Sequence, residues 1–304
     1  MLSHEEMIGL QAEKHGLVQS NNFRSRESYV LHLMHTFAYL QAAKLADGKR
    51  VLDLGCNTGY GTKIISASVS CVVGVDVSKE AISAARQQHL EIEKIQFELI
   101  DGKCLPFDDN QFDMITSFQV IEHIVDYEIF IGELKRVLSP SGFTMFTTPN
   151  AVLRLEPGMQ PWNEFHVCEF NHGELVDLLE TFFSSVQVYG LFATEAVYAV
   201  EEARVRQARE QARQQPDRAS RCEPKGLLQA NRDRLRSLIP ASIRARVRRV
   251  RHAFRNSHAD VAAFVAHHGV EDFSYQGHDL ERALDLVALC TDREDSIVNL
   301  PFAA

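Results

Sequence analysis

The chain has 304 residues, of which 45% are apolar, and a formal net charge of −9, so it is long enough to bury a large core. No stretch approaches the roughly 18 uninterrupted apolar residues of a membrane span, and the start of the sequence lacks the basic-then-apolar pattern of a signal peptide. The six cysteines are scattered without a CxxC pair, which argues against a zinc site or a disulfide framework. Without a predicted membrane span, signal peptide or disulfide framework, we expect a cytoplasmic globular protein.

Apolar residues recur at helical spacing between Tyr29 and Leu45, so residues 1–49 are predicted to form an N-terminal helical cap. The alternative for this helix is an ordinary covering helix rather than one beside a ligand. From Arg50 onward, apolar runs alternate with helical patterns, which is typical of a parallel sheet covered by helices on both faces. The first five strands are predicted at 51–54, 72–75, 96–100, 114–118 and 143–147.

Beyond the fifth strand, Asn171 and Glu174 have the spacing of a capping box that opens a helix. Two further strands are predicted at 186–191 and 284–290, and the Arg-, Gln- and Ala-rich stretch between them predicts a helical insertion rather than a separate domain. The chain is therefore divided into a cap at 1–49, a core at 50–194, a basic helical insertion at 195–267 and a C-terminal part at 268–304 that completes the sheet.

A glycine-rich turn follows the first strand, in the run Val-Leu-Asp-Leu-Gly-Cys-Asn-Thr-Gly. A dinucleotide-binding turn has three glycines spaced as GxGxxG, whereas this turn has a carboxylate at the strand end. That carboxylate would repel a pyrophosphate, but it suits S-adenosylmethionine (SAM), which carries an ammonium and a sulfonium and no phosphate. The residues predicted to bind the cofactor here are Asp53, Gly55, Cys56, Asn57, Gly59 and Tyr60.

Two more acidic residues follow the next two strands. Asp76, with Val77 after it, ends the second strand, where a carboxylate can accept both hydroxyls of an adenosine ribose. Asp101 and Gly102 follow the third strand in the same way. A helix-start or turn role is the alternative for each aspartate, but three acidic strand ends in this order favour an adenosine-binding site.

These motifs together resemble those of class I SAM-dependent methyltransferases, over residues 50–191 and a final strand near Leu284. The resemblance implies an α/β fold with a Rossmann-like, seven-stranded, mostly parallel sheet, helices on both faces, an antiparallel last strand and a helical insertion before it. It also implies SAM as the cofactor and a hydrogen bond between Asp101 and the adenine amino group.

The runs Phe-Gln-Val-Ile-Glu-His after the fourth strand and Thr-Thr-Pro-Asn after the fifth resemble small-molecule O-methyltransferases of the ubiquinone-biosynthesis type. Insertions like the one predicted here resemble those of methyltransferases that modify surface polysaccharides. The expected function is therefore O-methylation of a small-molecule or glycan-type hydroxyl acceptor. The predicted catalytic residues are Glu122, His123 and His166, and Gln119 is expected to line the cofactor pocket.

A neutral imidazole of His123 or His166 can take the proton of the acceptor hydroxyl, because both residues are expected at or beyond the carboxyl ends of strands. Glu122 would orient a histidine or the hydroxyl. The alternatives are structural: the histidines would bond backbone groups beside the sheet, and Glu122 would be a helix-start charge.

The same residues also resemble the methyltransferases that modify the 3′-terminal ribose of small RNAs. Those enzymes bind a divalent metal through a Glu-x-x-Glu-His run and a later histidine. Gln119 stands where the first glutamate would fall, so no metal site is predicted. An RNA 2′-O-methyltransferase is the first alternative, and a SAM-binding or membrane-associated adaptor without turnover is the second.

The charge of the chain is uneven: sixteen Lys and Arg stand against six Asp and Glu between Glu201 and Asn256. Within this stretch, the basic segment 232–255 alternates apolar and cationic residues. Such a helix can lie peripherally on an anionic membrane or bind the phosphates of a phosphate- or lipid-linked acceptor. The alternative is a solvated helix or an oligomer contact, and the acidic remainder makes nucleic acid the less favoured partner.

Overall fold

A computed structural model describes Ile8, residues 23–214 and residues 259–293. The basic segment 232–255 lies outside these residues, as do most of the N-terminal 22 residues and the last eleven. No helix in the described parts of the chain is long and apolar enough to cross a membrane.

An eight-stranded sheet forms the body of the protein, in the order β3-β2-β1-β4-β5-β8-β6-β7. Strands β1 to β5 pair in parallel, β8 runs antiparallel to both β5 and β6, and β7 runs antiparallel to β6. The strands are β1 (Arg50–Leu54), β2 (Cys71–Asp76), β3 (Ile95–Leu99), β4 (Phe112–Phe118), β5 (Leu138–Pro149), β6 (Ser185–Ala193), β7 (Phe273–Gln276) and β8 (Asp285–Thr291).

The predicted mostly parallel sheet with an antiparallel last strand is confirmed, and β7 is an additional eighth strand. It is only four residues long, too short for its apolar alternation to be recognised in the sequence. Its two buried residues, Phe273 and Tyr275, contact the ring of Phe37 in the N-terminal helix, with centroids 6.0 and 5.1 Å away. The edge strand is thus stabilised by the helix that precedes the sheet.

Helices cover both faces of the sheet because neighbouring residues of each central strand face opposite cores. In β1, Val51 packs in a core with the first helix, while Leu52 packs in a second core with the helix that precedes β5. The helices are α1 (Arg26–Leu45), α2 (Tyr60–Ile65), α3 (Lys79–Gln88), α4 (Tyr127–Val137), α5 (Ala151–Arg154), α6 (His172–Glu180), α7 (Glu195–Arg213) and α8 (residues 259–267).

Local capping agrees with the sequence at α6. Asn171 accepts a hydrogen bond from the backbone N–H of Glu174, and the Glu174 side chain accepts one from the backbone N–H of Asn171, so the predicted capping box is confirmed. In the sheet, Leu54 is paired with Val75 and with Ser117, so the carboxyl ends of β1, β2 and β4 lie side by side.

Two glycines allow a matched test of how closely α1 packs against α2. A Cβ on Gly61 in α2 would lie 2.1 Å from the ring of Tyr39 in α1, whereas a Cβ on Gly132, on the exposed face of α4, would meet nothing within 4 Å. We expect Gly61→Ala to lower the free energy of unfolding by about 1–3 kcal/mol through overpacking. Gly132→Ala should raise it by about 0.5–1 kcal/mol, because alanine is the better helix former.

Urea unfolding of the two variants and the wild type measures both changes. Equal stabilities for the two alanine variants would show that α1 does not hold Tyr39 against α2.

Candidate functional site

A cavity of about 450 Å³ opens at the carboxyl ends of β1, β2, β4 and β5. This volume lies within the range of about 300–1,000 Å³ that is usual for small-molecule sites, and the position is the ligand-binding edge of open parallel sheets. One face of α1 contributes Leu31, His35 and Tyr39 to its wall, and α7 contributes Arg204. The cavity is therefore bounded by the core sheet, the helix before it and the start of the predicted insertion.

The glycine-rich turn forms one end of the cavity. Gly55, Asn57 and Gly59 all have left-handed backbone, with φ of 78°, 47° and 76°, and asparagine tolerates this conformation better than most residues. A Cβ on Gly55 would lie 2.5 Å from the side chain of Val120, so only glycine allows this close approach. The predicted cofactor-binding residues that line the cavity are Gly55, Cys56, Asn57, Tyr60, Asp76, Val77, Gly102 and Gln119.

Asp53 is fully buried and is not among the residues that line the cavity. Its carboxylate accepts hydrogen bonds from the hydroxyls of Thr62 at 2.6 Å, Thr116 at 2.9 Å and Tyr39 at 3.2 Å. Burial raises the pKa of Asp53 to about 6, against the opposing effect of these hydrogen bonds. Three hydroxyls thus hold the Asp53 carboxylate in the interior, so its predicted contact with the cofactor stays a prediction, and Tyr39, which was not predicted, lines the cavity.

Asp76 and Asp101 are placed differently. Asp76 lines the cavity, and its two oxygens accept hydrogen bonds from the backbone N–H groups of Asn57 at 2.9 Å and Ser78 at 2.8 Å. Asp101 is exposed and does not line the cavity; it accepts from the N–H groups of Lys103 and Cys104, which hold its pKa below the usual value. The geometry of Asp101 matches the turn role that was its alternative.

The residues at this end fit SAM. The turn approaches closely where Gly55 lacks a Cβ, and Asp76 offers a carboxylate at the end of β2 for a ribose diol. The turn itself, from Gly55 to Tyr60, has no lysine or arginine that would pair with a pyrophosphate.

The three predicted catalytic residues come together in the wall of the same cavity. Glu122, His123 and His166 each offer an oxygen or nitrogen atom, and these atoms lie within 4.8 Å of one another. The Glu122 side chain is fully buried and accepts a hydrogen bond from the Thr148 hydroxyl at 3.1 Å, while its other oxygen has no hydrogen-bond partner among the described residues. Burial raises the pKa of Glu122 to about 8.

The hydrogen bonds of the two histidines define their tautomers. Nδ1 of His123 lies 2.7 Å from the carbonyl oxygen of Phe165, which can only accept, so Nδ1 carries the proton and Nε2 is the basic nitrogen of the neutral ring. Nδ1 of His166 lies 2.6 Å from the carboxylate of Glu169, and its Nε2 lies 2.8 Å from the side-chain amide nitrogen of Asn163. The lone pair of His166 therefore already accepts from Asn163.

Buried ion pairs flank this cluster, and the sequence reasoning missed them. Glu169 forms an ion pair with Arg154 and accepts a hydrogen bond from Nδ1 of His166, and these partners hold its pKa at about 2 against the effect of burial. Glu201 of α7 pairs with Arg204, and Trp162 lies against both arginines. No local motif marks these residues, because α5, the following loop and α7 meet only in the folded chain.

The comparison with known proteins agrees with this geometry. The family described as "Methyltransferase domain" matches residues 52–146. A probable S-adenosylmethionine-dependent methyltransferase of Mycobacterium tuberculosis is 36% identical over 160 residues, which are 52% of this chain and 57% of that protein. Residues 52–146 are therefore similar to a methyltransferase domain, and the relatives of the chain include a protein named as a probable SAM-dependent methyltransferase.

A second relative of this domain, a ubiquinone biosynthesis O-methyltransferase of Chelativorans sp., is 32% identical over 115 residues, which are 38% of this chain and 46% of that protein. The chain spans about half the length of the curated relatives it matches. The [4+2]-cyclase SpnF aligns over 86% of this chain and 81% of its own, with 18% identity and a TM-score of 0.49, too low to bear on function. The matched family and the curated relatives thus indicate SAM as the cofactor.

The buried carboxyl of Glu122 makes the stability of the folded chain depend on pH. The pKa of Glu122 is raised from 4.5 to about 8, so the folded protein holds this proton to a higher pH than the unfolded chain does. The free energy of unfolding should therefore fall as the pH rises from about 4.5 to about 8. Asp285, with a pKa raised to about 7, contributes with the same sign.

Between about pH 5 and about pH 8.5, the free energy of unfolding should fall less for Glu122→Gln than for the wild type, because glutamine has no proton to lose. Calorimetric Tm values across that range, with Glu128→Gln as a control for an exposed carboxylate on α4, measure the difference. Parallel curves for Glu122→Gln and the wild type would contradict the assignment of a protonated Glu122.

Proposed function

We propose that the chain is a SAM-dependent O-methyltransferase that acts on a small-molecule or glycan-type hydroxyl acceptor, with His123 as the general base. The observation that carries this proposal is the state of His123: its Nδ1–H is bound to the Phe165 carbonyl, and its ring lines the cavity that also contains Asp76 and the glycine-rich turn. A basic Nε2 within the cofactor cavity is what proton removal from a hydroxyl needs.

When bound, SAM supplies a methyl group on a positively charged sulfur, and the hydroxyl oxygen of the acceptor is the nucleophile. The residues of the chain position the acceptor and remove its proton. His123 takes the hydroxyl proton on Nε2 as the oxygen becomes nucleophilic, and Asp76 and the turn at Gly55 hold the adenosine end.

His166 and Glu122 support His123 in this proposal. His166 accepts from Asn163 through Nε2 and contacts His123 edge-to-face, with ring centroids 4.8 Å apart and an interplanar angle of 84°. Glu122, with a pKa of about 8, is mostly protonated at pH 7 and is a neutral hydrogen-bonding group rather than a second base. His123 is therefore the catalytic base, and the other two side chains position it.

An RNA 2′-O-methyltransferase is the alternative, favoured by the close approach of Glu122, His123 and His166. Against it, the amide of Gln119 donates to Asp285 at 3.0 Å where a metal-binding glutamate would stand. Activity that survives treatment with a chelator supports the small-molecule proposal. Activity that is lost on chelation and restored by Mn²⁺ favours the RNA alternative, and no transfer to any acceptor favours a SAM-binding adaptor.

Asp76→Ala should weaken SAM binding severely, because the substitution removes the carboxylate that accepts two hydrogen bonds from the ribose hydroxyls. Each of these charge-assisted bonds is worth about 1.5–3 kcal/mol. Asp101→Ala is the matched control, since that carboxylate lies outside the cavity. Titration calorimetry with SAM measures both affinities. An unchanged affinity for Asp76→Ala, in a variant with normal thermal unfolding, would refute the assignment.

His123→Ala should lower kcat by about 10²–10⁴-fold, the usual contribution of a general base. His166→Ala should also cut turnover, by a smaller factor, because it acts through the orientation of His123. Both variants should bind SAM with wild-type affinity. Normal turnover in His123→Ala would exclude it as the base, and normal turnover in His166→Ala would remove that residue from the mechanism.

A further inference from the structure

We propose that Arg154 and Arg204 form a subsite for an oxyanion, a carboxylate or a phosphate, carried by the methyl acceptor. This inference rests on the proposed function and deepens it by naming the chemical class of the acceptor. Both arginines line the cavity that contains His123, and both are held in fixed positions by buried carboxylates.

Arg154 is fixed along one edge of its guanidinium. Its Nε and Nη2 donate to the two oxygens of Glu169, at 2.8 and 3.0 Å, and the two side chains are 7% and 0% exposed. This bidentate pairing leaves the two N–H groups of Nη1 for another acceptor. Among the described residues, no hydrogen bond from Nη1 of Arg154 is found.

Arg204 repeats the arrangement from a different element. Its Nε donates to Glu201 at 2.7 Å and its Nη2 to the other oxygen of the same carboxylate, both residues being one turn apart in α7. Here too, Nη1 makes no hydrogen bond within the described part of the chain. The cavity is thus lined by two guanidinium groups, and in each of them Nη1 makes no hydrogen bond to a described residue.

Both arginines contact the ring of Trp162. The guanidinium carbons of Arg154 and Arg204 lie 4.0 and 5.5 Å from the centroid of its ring, and its indole N–H donates to the backbone carbonyl of Arg154. Stacking on the indole restricts the planes of both guanidinium groups. The donors of this subsite are therefore positioned before an acceptor binds.

The charge balance of the wall favours an anion. Glu169 and Glu201 neutralise the two arginines, and the nearby buried carboxyls of Glu122 and Asp285 have pKa values raised to about 8 and about 7, so at pH 7 Glu122 is mostly protonated and Asp285 is about half ionised. Guanidinium N–H groups that no protein acceptor pairs can donate to an oxyanion in the cavity. A carboxylate or phosphate has enough oxygens to satisfy both.

The test measures the thermal stability of the full chain, saturated with S-adenosylhomocysteine, in the presence of benzoate, inorganic phosphate or neutral benzamide. Benzoate and phosphate should raise the Tm of the wild type, and benzamide should not. Arg204→Gln alone would strand the buried Glu201 carboxylate, so the variant is Arg204→Gln with Glu201→Gln. Arg206→Gln, an exposed arginine of the same helix, is the control.

In the double variant, the affinity for benzoate or phosphate, taken from the concentration dependence of Tm, should fall about tenfold or more, while the control keeps it. An equal effect of benzamide, anion affinity retained in the double variant, or no effect of either anion would overturn the proposal. A weakened affinity for S-adenosylhomocysteine in the double variant would do so too, by assigning the arginines to the cofactor. Failure of the wild type to bind S-adenosylhomocysteine would instead overturn the proposed function.

Discussion

The carboxylate of Glu169 organises the far wall of the cavity, because it accepts hydrogen bonds from Arg154 and His166 at once. A fully buried carboxylate is stable only with such partners, and removing one of them leaves an unpaired charge in the interior. Arg154, one partner of Glu169, lies over the ring of Trp162, and His166, the other partner, contacts the ring of His123. The chemistry proposed here depends on side chains that this one ion pair keeps in place.

The cofactor end of the cavity could be predicted from the sequence because it is built from consecutive residues at strand ends. A parallel sheet brings the carboxyl ends of its strands to one edge, so the turn at Gly55 and the carboxylate of Asp76 had to converge. Asp53 and Asp101 belong to the same motifs, yet each is held by nearby donors: hydroxyls of Thr62 and Thr116 for Asp53, and backbone N–H groups for Asp101. Sequence order locates a loop but does not tell which way its side chains turn.

The acceptor end was predicted only in part. Glu122 and His123 follow a strand and His166 lies in a conspicuous run, but Arg154, Trp162 and Arg204 carry no motif. They meet because α7, the start of the predicted insertion, packs against α5, where Arg209 of α7 donates to the backbone carbonyl of Arg154. Such long-range ion pairs depend on tertiary packing, which local patterns do not encode. The insertion thereby contributes directly to the wall where the acceptor is proposed to bind.

The central claim is that one cavity joins a cofactor end at Asp76 to a base at His123. A crystal structure of the complex with S-adenosylhomocysteine tests it most directly. The account predicts that the ribose hydroxyls bind the carboxylate of Asp76 and that the sulfur faces the wall formed by His123 and His166. A complex in which the ribose lies away from Asp76, or in which the sulfur faces away from His123, would contradict it.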